Sequence, residues 1–150
     1  MGLHMDVPGY LLKVTRGGAN QGLYAYDGLG RQLESVEAAT SFYAYTNTET
    51  LFKNISGSYS IDYLYAGGIR IGTVDSSSGS YSTVKYFHTD HLRSTRLVTS
   101  STASILFADS YQPFGQDNGK PTGSETCKFT DKPFSQATGL YYYYRRRYEP

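Results

Sequence analysis

One hundred and fifty residues with a net charge of +1, sixteen Tyr, seven Phe, no Trp and sixteen Gly suit one β-rich domain long enough to bury a core. The near-neutral charge argues against a nucleic-acid partner held by a dominant phosphate-binding field. The single cysteine, Cys127, excludes an intrachain disulfide and a multi-cysteine zinc site, and no apolar run approaches the ~18–20 residues of a membrane-spanning helix.

The first ten residues lack the apolar core of a signal peptide. Met1-Gly2-Leu3-His4-Met5 has the look of a cloning remnant, which would make Met5 the natural start. Residues 10–16 predict the first strand, broken at Gly17-Gly18-Ala19-Asn20. Residues 23–27 predict the next, and Asp27-Gly28 opens a tight turn. Strands follow over 31–37, 42–46, 51–55, 58–66, 69–75, 81–88, 95–99 and 104–111. Between them lie turn compositions: 38–41, Thr46-Asn47-Thr48, Ser56-Gly57, Gly67-Gly68, 76–80 and 100–103. Short strands at this spacing predict an all-β meander. The meander repeats, since Tyr26, Tyr45, Tyr65, Tyr86 and Phe107 fall 19, 20, 21 and 21 residues apart. One hairpin cannot bury its own face, so neighbouring hairpins must stack into one long antiparallel sheet.

The central stretch reads as a hairpin: an alternating arm over 82–88, a polar turn over 89–94 and a return arm over 95–99. Beyond Gln112 the pattern changes. Residues 116–125 predict a long surface loop, 127–130 a short strand and 131–138 irregular chain. Residues 141–148 predict one last strand, with Tyr142, Tyr144, Arg146 and Tyr148 on one face and Tyr141, Tyr143, Arg145 and Arg147 on the other.

His88-Thr89-Asp90-His91-Leu92-Arg93-Ser94-Thr95-Arg96 resembles the signature of the core-associated region of Rhs/YD-repeat proteins. Three other stretches agree in kind and order: Tyr24-Ala25-Tyr26-Asp27-Gly28-Leu29-Gly30-Arg31, which resembles the Y-x-Y-D-x-x-G-R unit; Tyr111-Gln112-Pro113-Phe114-Gly115; and Phe129-Thr130 with Gly139-Leu140-Tyr141-Tyr142-Tyr143 running to Arg147-Tyr148-Glu149-Pro150. The resemblance covers residues 22–150. It implies strands that spiral into a hollow shell and a C-terminal region that plugs it. With about five units, the expectation is a curved sheet or partial β-shell with an aromatic C-terminal plug strand. The implied divisions are a lead-in strand over 1–21, YD-type repeats over 22–111 and a core-associated segment over 112–150.

The chain departs from the family at Asp131, where Gly commonly follows Phe-Thr, and at Phe134-Ser135-Gln136-Ala137, where an acidic residue is usual. Residues 1–150 contain no D-P-x-G self-cleavage motif and no toxin domain, so self-release of a toxin by these residues is not expected.

His88, Asp90 and His91 are the only cluster that tempts a metal or acid–base reading. The turn itself is the stronger explanation, with Asp capping backbone amides. No nucleophile elbow or phosphate loop is present, so neither enzymatic activity nor a cofactor is expected. Arg145-Arg146-Arg147 among tyrosines could bind acidic polymers through charge and stacking, but a cation–π or carboxylate-paired strand fits better. The main expectation is a structural scaffold, extracellular or at the cell surface. It would self-assemble into an oligomer or filament through sheet edges near Tyr10, Leu12, Val14, Tyr143 and Tyr148. The alternatives are a toxin-shell fragment that encloses a toxin polypeptide, and a glycan-binding module.

Overall fold

The computed structural model describes residues 1–6, 9–46, 51–57, 59–77, 80–144 and 146–150. Among these, twelve strands form one antiparallel sheet in chain order: Gly2–Met5 (β1), Leu11–Arg16 (β2), Ala19–Tyr26 (β3), Gln32–Val36 (β4), Thr40–Tyr45 (β5), Leu51–Ser56 (β6), Tyr59–Ala66 (β7), Ile69–Ser77 (β8), Ser80–Thr89 (β9), Thr95–Ser100 (β10), Ile105–Ala108 (β11) and Thr122–Gly123 (β12). The sheet is not closed, and β1 and β12 are its two ends. Phe134–Ser135 (β13), Leu140–Tyr143 (β14) and Arg146–Tyr148 (β15) make a second, three-stranded sheet. The expected all-β curved hairpin meander is the fold the chain adopts.

One five-residue turn recurs along the meander. The Asp27 N–H donates to the Arg31 carbonyl at 2.9 Å, and the Gly30 N–H donates to the Asp27 carbonyl at 2.9 Å. Asp27 Oδ1 accepts from the Leu29 and Arg31 amides, both at 2.9 Å. Asp90 repeats the arrangement, its Oδ1 accepting from the Leu92 and Ser94 amides at 2.9 Å. The same backbone pair closes Asp6 to Tyr10, Ser100 to Ser104 and Gln112 to Gln116. The fourth residue of each turn is left-handed: Gly9, Gly30, Arg93, Ala103 and Gly115 have φ of 102°, 79°, 68°, 61° and 89°. That conformation favours glycine, because a Cβ there crowds the following carbonyl. The Asp and Gly of the Y-x-Y-D-x-x-G-R unit are therefore the residues best suited to the first and fourth places of one turn.

Alternation along the strands sorts the side chains onto two faces. Tyr24, Tyr26, Tyr43, Tyr45, Tyr63 and Tyr65 are buried or half-buried on the face that the C-terminal segment covers, called here the inner face. Leu23, Phe42, Ile55, Leu64, Ile69 and Ile71 stand exposed on the outer face. Tyr86 breaks the series. It is 47% exposed, and Phe87, at 8%, takes the inward position, clustering with Val98 and Phe107. A second core cluster joins Leu11, Val14 and Tyr24 to Leu140. The aromatic ladder thus continues inward, but shifted by one residue at β9.

Five expectations are corrected. Residues 2–5 are a strand of the sheet, Leu3 opposite Val14, so β2 is paired on both sides and Leu12 and Val14 are not at the sheet end. The predicted strand over 104–111 shortens to β11. The 116–125 segment is not wholly loop, since Thr122 and Gly123 pair with Ala108 and Phe107. Gly123 is needed there, because a Cβ would meet the Leu106 carbonyl and its φ is +70°. Residues 127–130 are not a strand: Cys127 bridges Pro133, and Phe129–Asp131 forms a single 3-10 turn with Thr130 and Asp131 at positive φ. The segment 141–148 is a hairpin, because Tyr144 at φ 55° reverses the chain and sets Tyr141 opposite Tyr148. The faces predicted for one straight strand do not carry past Tyr143. The expected turn at Asn47-Thr48, the start of the 58–66 strand at Ser58, the turn at Ser78-Gly79 and the role of Arg145 lie outside the described residues.

Candidate functional site

The inner face is lined with tyrosine hydroxyls, and those of Tyr24, Tyr26 and Tyr43 are tied to adjacent parts of the sheet. Tyr24 donates to Glu37 at 2.7 Å, Tyr26 to the Leu11 carbonyl at 2.9 Å, and Tyr43 shares a 2.9 Å bond with Ser35. Burial pushes the Tyr24, Tyr43, Tyr45, Tyr63 and Tyr65 hydroxyls up in pKa, so they stay neutral and able to donate. Tyrosine suits this face because its ring fills volume while its hydroxyl satisfies a buried acceptor.

The C-terminal segment is docked on this face by buried charge. Arg70, 1% exposed, reaches from β8 to Asp131 at 2.6 Å. It also donates to Thr95 Oγ1 at 3.2 Å and to the Cys127 carbonyl at 3.3 Å. Its guanidinium lies 4.2 Å from the Phe87 ring centroid. The two charges approach off the hydrogen-bond direction, so the contact is charge pairing. Burial raises the Asp131 pKa and outweighs the opposing effect of Arg70. Lys128 is likewise buried, 2.5 Å from Asp117 Oδ1 and 3.1 Å from Asp109 Oδ2. Burial raises the Asp109 pKa as well, against the pull of Lys128. At the other end Arg147 stacks 4.0 Å over Tyr24 and 4.9 Å over Tyr142 and donates to Gln32. The Gln32 amide donates to the Tyr142 hydroxyl at 2.7 Å across a separation of 110 residues.

Between wall and segment lies a cavity of about 800 Å³. Tyr43, Tyr45 and Tyr65 line it from the sheet; Lys132, Tyr144 and Arg147 line it from the segment. Cys127 borders it, but burial pushes its thiol up to about 12, which keeps it protonated and unreactive at neutral pH. The site offers aromatic walls, hydroxyls and cations, which is binding chemistry. Among the described residues no group of three His, Cys, Asp or Glu side chains is placed to hold a metal ion.

The residues singled out by sequence have defined places. His88 is exposed and shares a 3.1 Å bond with Thr99; His91 is exposed, and Asp90 caps its own turn. They do not come together as a site. Ser94 and Thr95, each fully buried, are where the hairpin meets the segment: Ser94 Oγ accepts from the Thr130 amide at 3.1 Å, and the Thr95 amide donates to the Lys128 carbonyl at 3.0 Å. Arg31 pairs with Asp27 at 2.7 Å and lies over Tyr45, and Arg96 lies over Tyr111. Gly115 packs under Phe129, and its carbonyl accepts from Tyr141 at 3.2 Å. Pro113 and Phe114 stay exposed on that turn, while Leu92 is exposed on its own. Gly139 turns the chain at φ 75° so that Leu140, Tyr141 and Tyr142 are buried. Of the proposed edge residues, Tyr10 stacks on Tyr26, Tyr143 lies in the middle strand of the small sheet and Tyr148 in its end strand. The docking charges Arg70, Lys128, Asp109, Asp117 and Asp131 and the anchor Gln32 were missed. Arg70 sits between Ile69 and Ile71, and a lone charge inside an apolar strand is the one signal that could have found it.

No family model and no curated protein matches the chain. Solved structures do. The crystal structure titled TcdB2-TccC3-Cdc42 superposes with a TM-score of 0.73 at 19% identity, covering 99% of this chain and 8% of that one. A Photorhabdus luminescens Tc holotoxin pore carrying a TccC3 substitution gives 0.72 at 20% identity, with the same coverage. The crystal structure of TcdB2-TccC3 gives 0.62 at 17%. The likeness is one of fold, and the fold is that of the Rhs/YD-repeat shell. This chain spans 8% of the length of each of those chains. Among the described residues no helix is long and apolar enough to cross a membrane.

Proposed function

We propose that the chain is a section of an Rhs-type toxin shell, a piece of curved wall with its inner lining, whose role is to enclose a polypeptide passenger. The observation that carries this reading is the docking of the C-terminal segment, by buried charges, onto the tyrosine face of an open sheet. The likeness in fold to the TcdB2-TccC3 structures supports it. An open sheet with two ends holds a passenger against its inner face but covers only one side of it, so full enclosure needs neighbouring sections. The role is mechanical and non-catalytic, and the setting is a secreted assembly.

A self-assembling scaffold is the second reading, favoured by the open ends at β1 and β12. A glycan-binding surface is disfavoured by the tyrosines themselves, which turn inward with Tyr24, Tyr26 and Tyr43 already bonded.

Sedimentation velocity separates the readings. The shell reading predicts a species near 16.7 kDa that co-sediments with reduced, carboxymethylated lactalbumin, a permanently unfolded chain. A monomer that ignores the unfolded polypeptide overturns it. Concentration-dependent polymers in its absence transfer the case to self-assembly.

A further inference from the structure

The cavity has an unbalanced charge. Lys132 lines it, half-buried, with its Nζ 4.7 Å from the Tyr144 ring centroid and 5.9 Å from that of Tyr143. Among the described residues Lys132 has no ion-pair partner. The carboxylate beside it in sequence, Asp131, is turned to Arg70 at 2.6 Å. Arg93, also on the cavity lining, donates to a neutral acceptor, the Gly68 carbonyl, at 3.1 Å. Of the lining carboxylates, Glu37 accepts from the Tyr24 hydroxyl. Three cations, Lys132, Arg93 and Arg147, thus line the space against two acids, Glu37 and Asp131, and Asp131 is already paired with Arg70. Burial lowers the Lys132 pKa, and the nearby Asp131 charge only partly restores it, so the ammonium is held by ring faces where an anion would hold it better.

We infer that this cavity is a binding site for a carboxylate carried on an aromatic body, with Lys132 as the anion's partner and the Tyr65 and Tyr144 rings as walls. Ring faces favour an aromatic body by stacking, and a charge-assisted bond to an ammonium is about twice as strong as a neutral one. Such a ligand is either a free aromatic acid or an acidic side chain next to an aromatic one in a polypeptide. The inference stands apart from the shell reading, because a small acid can fill the cavity whether or not the wall encloses a passenger.

Isothermal titration of the full chain tests it in two arms. One arm uses phenylacetate against phenylacetamide; the other uses the blocked dipeptide acetyl-Phe-Glu-amide against acetyl-Phe-Gln-amide. The expected result is that the acid in at least one arm binds ten or more times tighter than its amide. Binding of phenylacetate identifies a free acid as sufficient; binding of the dipeptide alone identifies a polypeptide source. Lys132→Gln should weaken the acid at least tenfold and leave the amide unchanged, with melting temperature as the control for folding, and Lys132→Arg should retain acid binding. Equal affinity for acid and amide in both arms, no binding in either, or an unchanged affinity in folded Lys132→Gln, overturns the inference.

Discussion

The repeat wall and the C-terminal segment are held together by different chemistry. The wall is local. Its turns close on themselves through Asp27 and Asp90, with partners two and four residues away, and its strands pair with sequence neighbours. The segment is held from afar: Arg70 to Asp131, Lys128 to Asp109, Gln32 to Tyr142 and Arg147. The wall should therefore fail one turn at a time, and the segment should fail as a unit.

Removing a docking charge gives the largest effect. Arg70→Ala strands Asp131 and empties the space over Phe87 and Tyr63, and should cost about 3–5 kcal/mol, read by urea unfolding. A loss under about 1 kcal/mol would mean that the segment does not depend on that ion pair.

The ladder supplies the next. Tyr63 is buried at 5% and Tyr86 exposed at 47%, so Tyr63→Ala should cost about 3 kcal/mol and Tyr86→Ala under about 1 kcal/mol. Equal costs would restore the unshifted ladder that the sequence spacing predicts.

A pH comparison sharpens the same contrast. Burial leaves the Asp131 pKa raised in the folded state. Its contribution is then fully present below the unfolded value, about 3.9, and is lost as pH rises through the folded value. Asp131→Asn, which cannot titrate, should gain stability relative to the parent as pH rises above about 4. The opposite trend would mean that Arg70 outweighs burial at that site. Asp27 behaves in reverse. Desolvation, the largest single influence, would raise its pKa. The amide bonds from Arg31 and Leu29 and the Arg31 guanidinium together outweigh that and lower it. Its small contribution is present above about pH 4 and fades as pH falls.

The wall's turns give smaller effects. Asp90→Ala removes the acceptor of two amide bonds and should cost about 1 kcal/mol, with no response to EDTA. A large fall in melting temperature with EDTA, rescued by zinc, would reopen the metal reading of His88, Asp90 and His91. Smallest is Ala103→Gly: Ala103 holds φ 61°, and relieving its Cβ should stabilise by about 0.5 kcal/mol after the entropy cost of glycine.

The same division explains what sequence could reach. The meander was legible because its information is local: alternating strands, turn residues and a period near 20. The turn chemistry of Asp90 was legible for the same reason. The segment was not. Residues 141–148 look like one strand because nothing in Tyr-Tyr-Tyr-Tyr marks Tyr144 as the reversal. Residues 127–130 look like a strand because the Ser94 and Thr95 contacts that bend them come from some 30 residues upstream. Arg70 was hidden by an inversion: the polar face of β8 is the buried one, and Ile69 and Ile71 face outward. Tyr86 was misplaced because spacing counts residues and takes no account of the one-residue shift in facing.

The docking of the segment on the inner face is tested most directly at the Gln32 amide, whose partner is the Tyr142 hydroxyl at 2.7 Å. Hydrogen exchange followed residue by residue should show Gln32 protected in the parent chain. In Tyr142→Phe its exchange should accelerate at least tenfold, while Val36, which pairs with Leu23 inside the wall, stays unchanged. A Gln32 amide that exchanges freely in the parent, or that is indifferent to loss of the hydroxyl, would contradict the account.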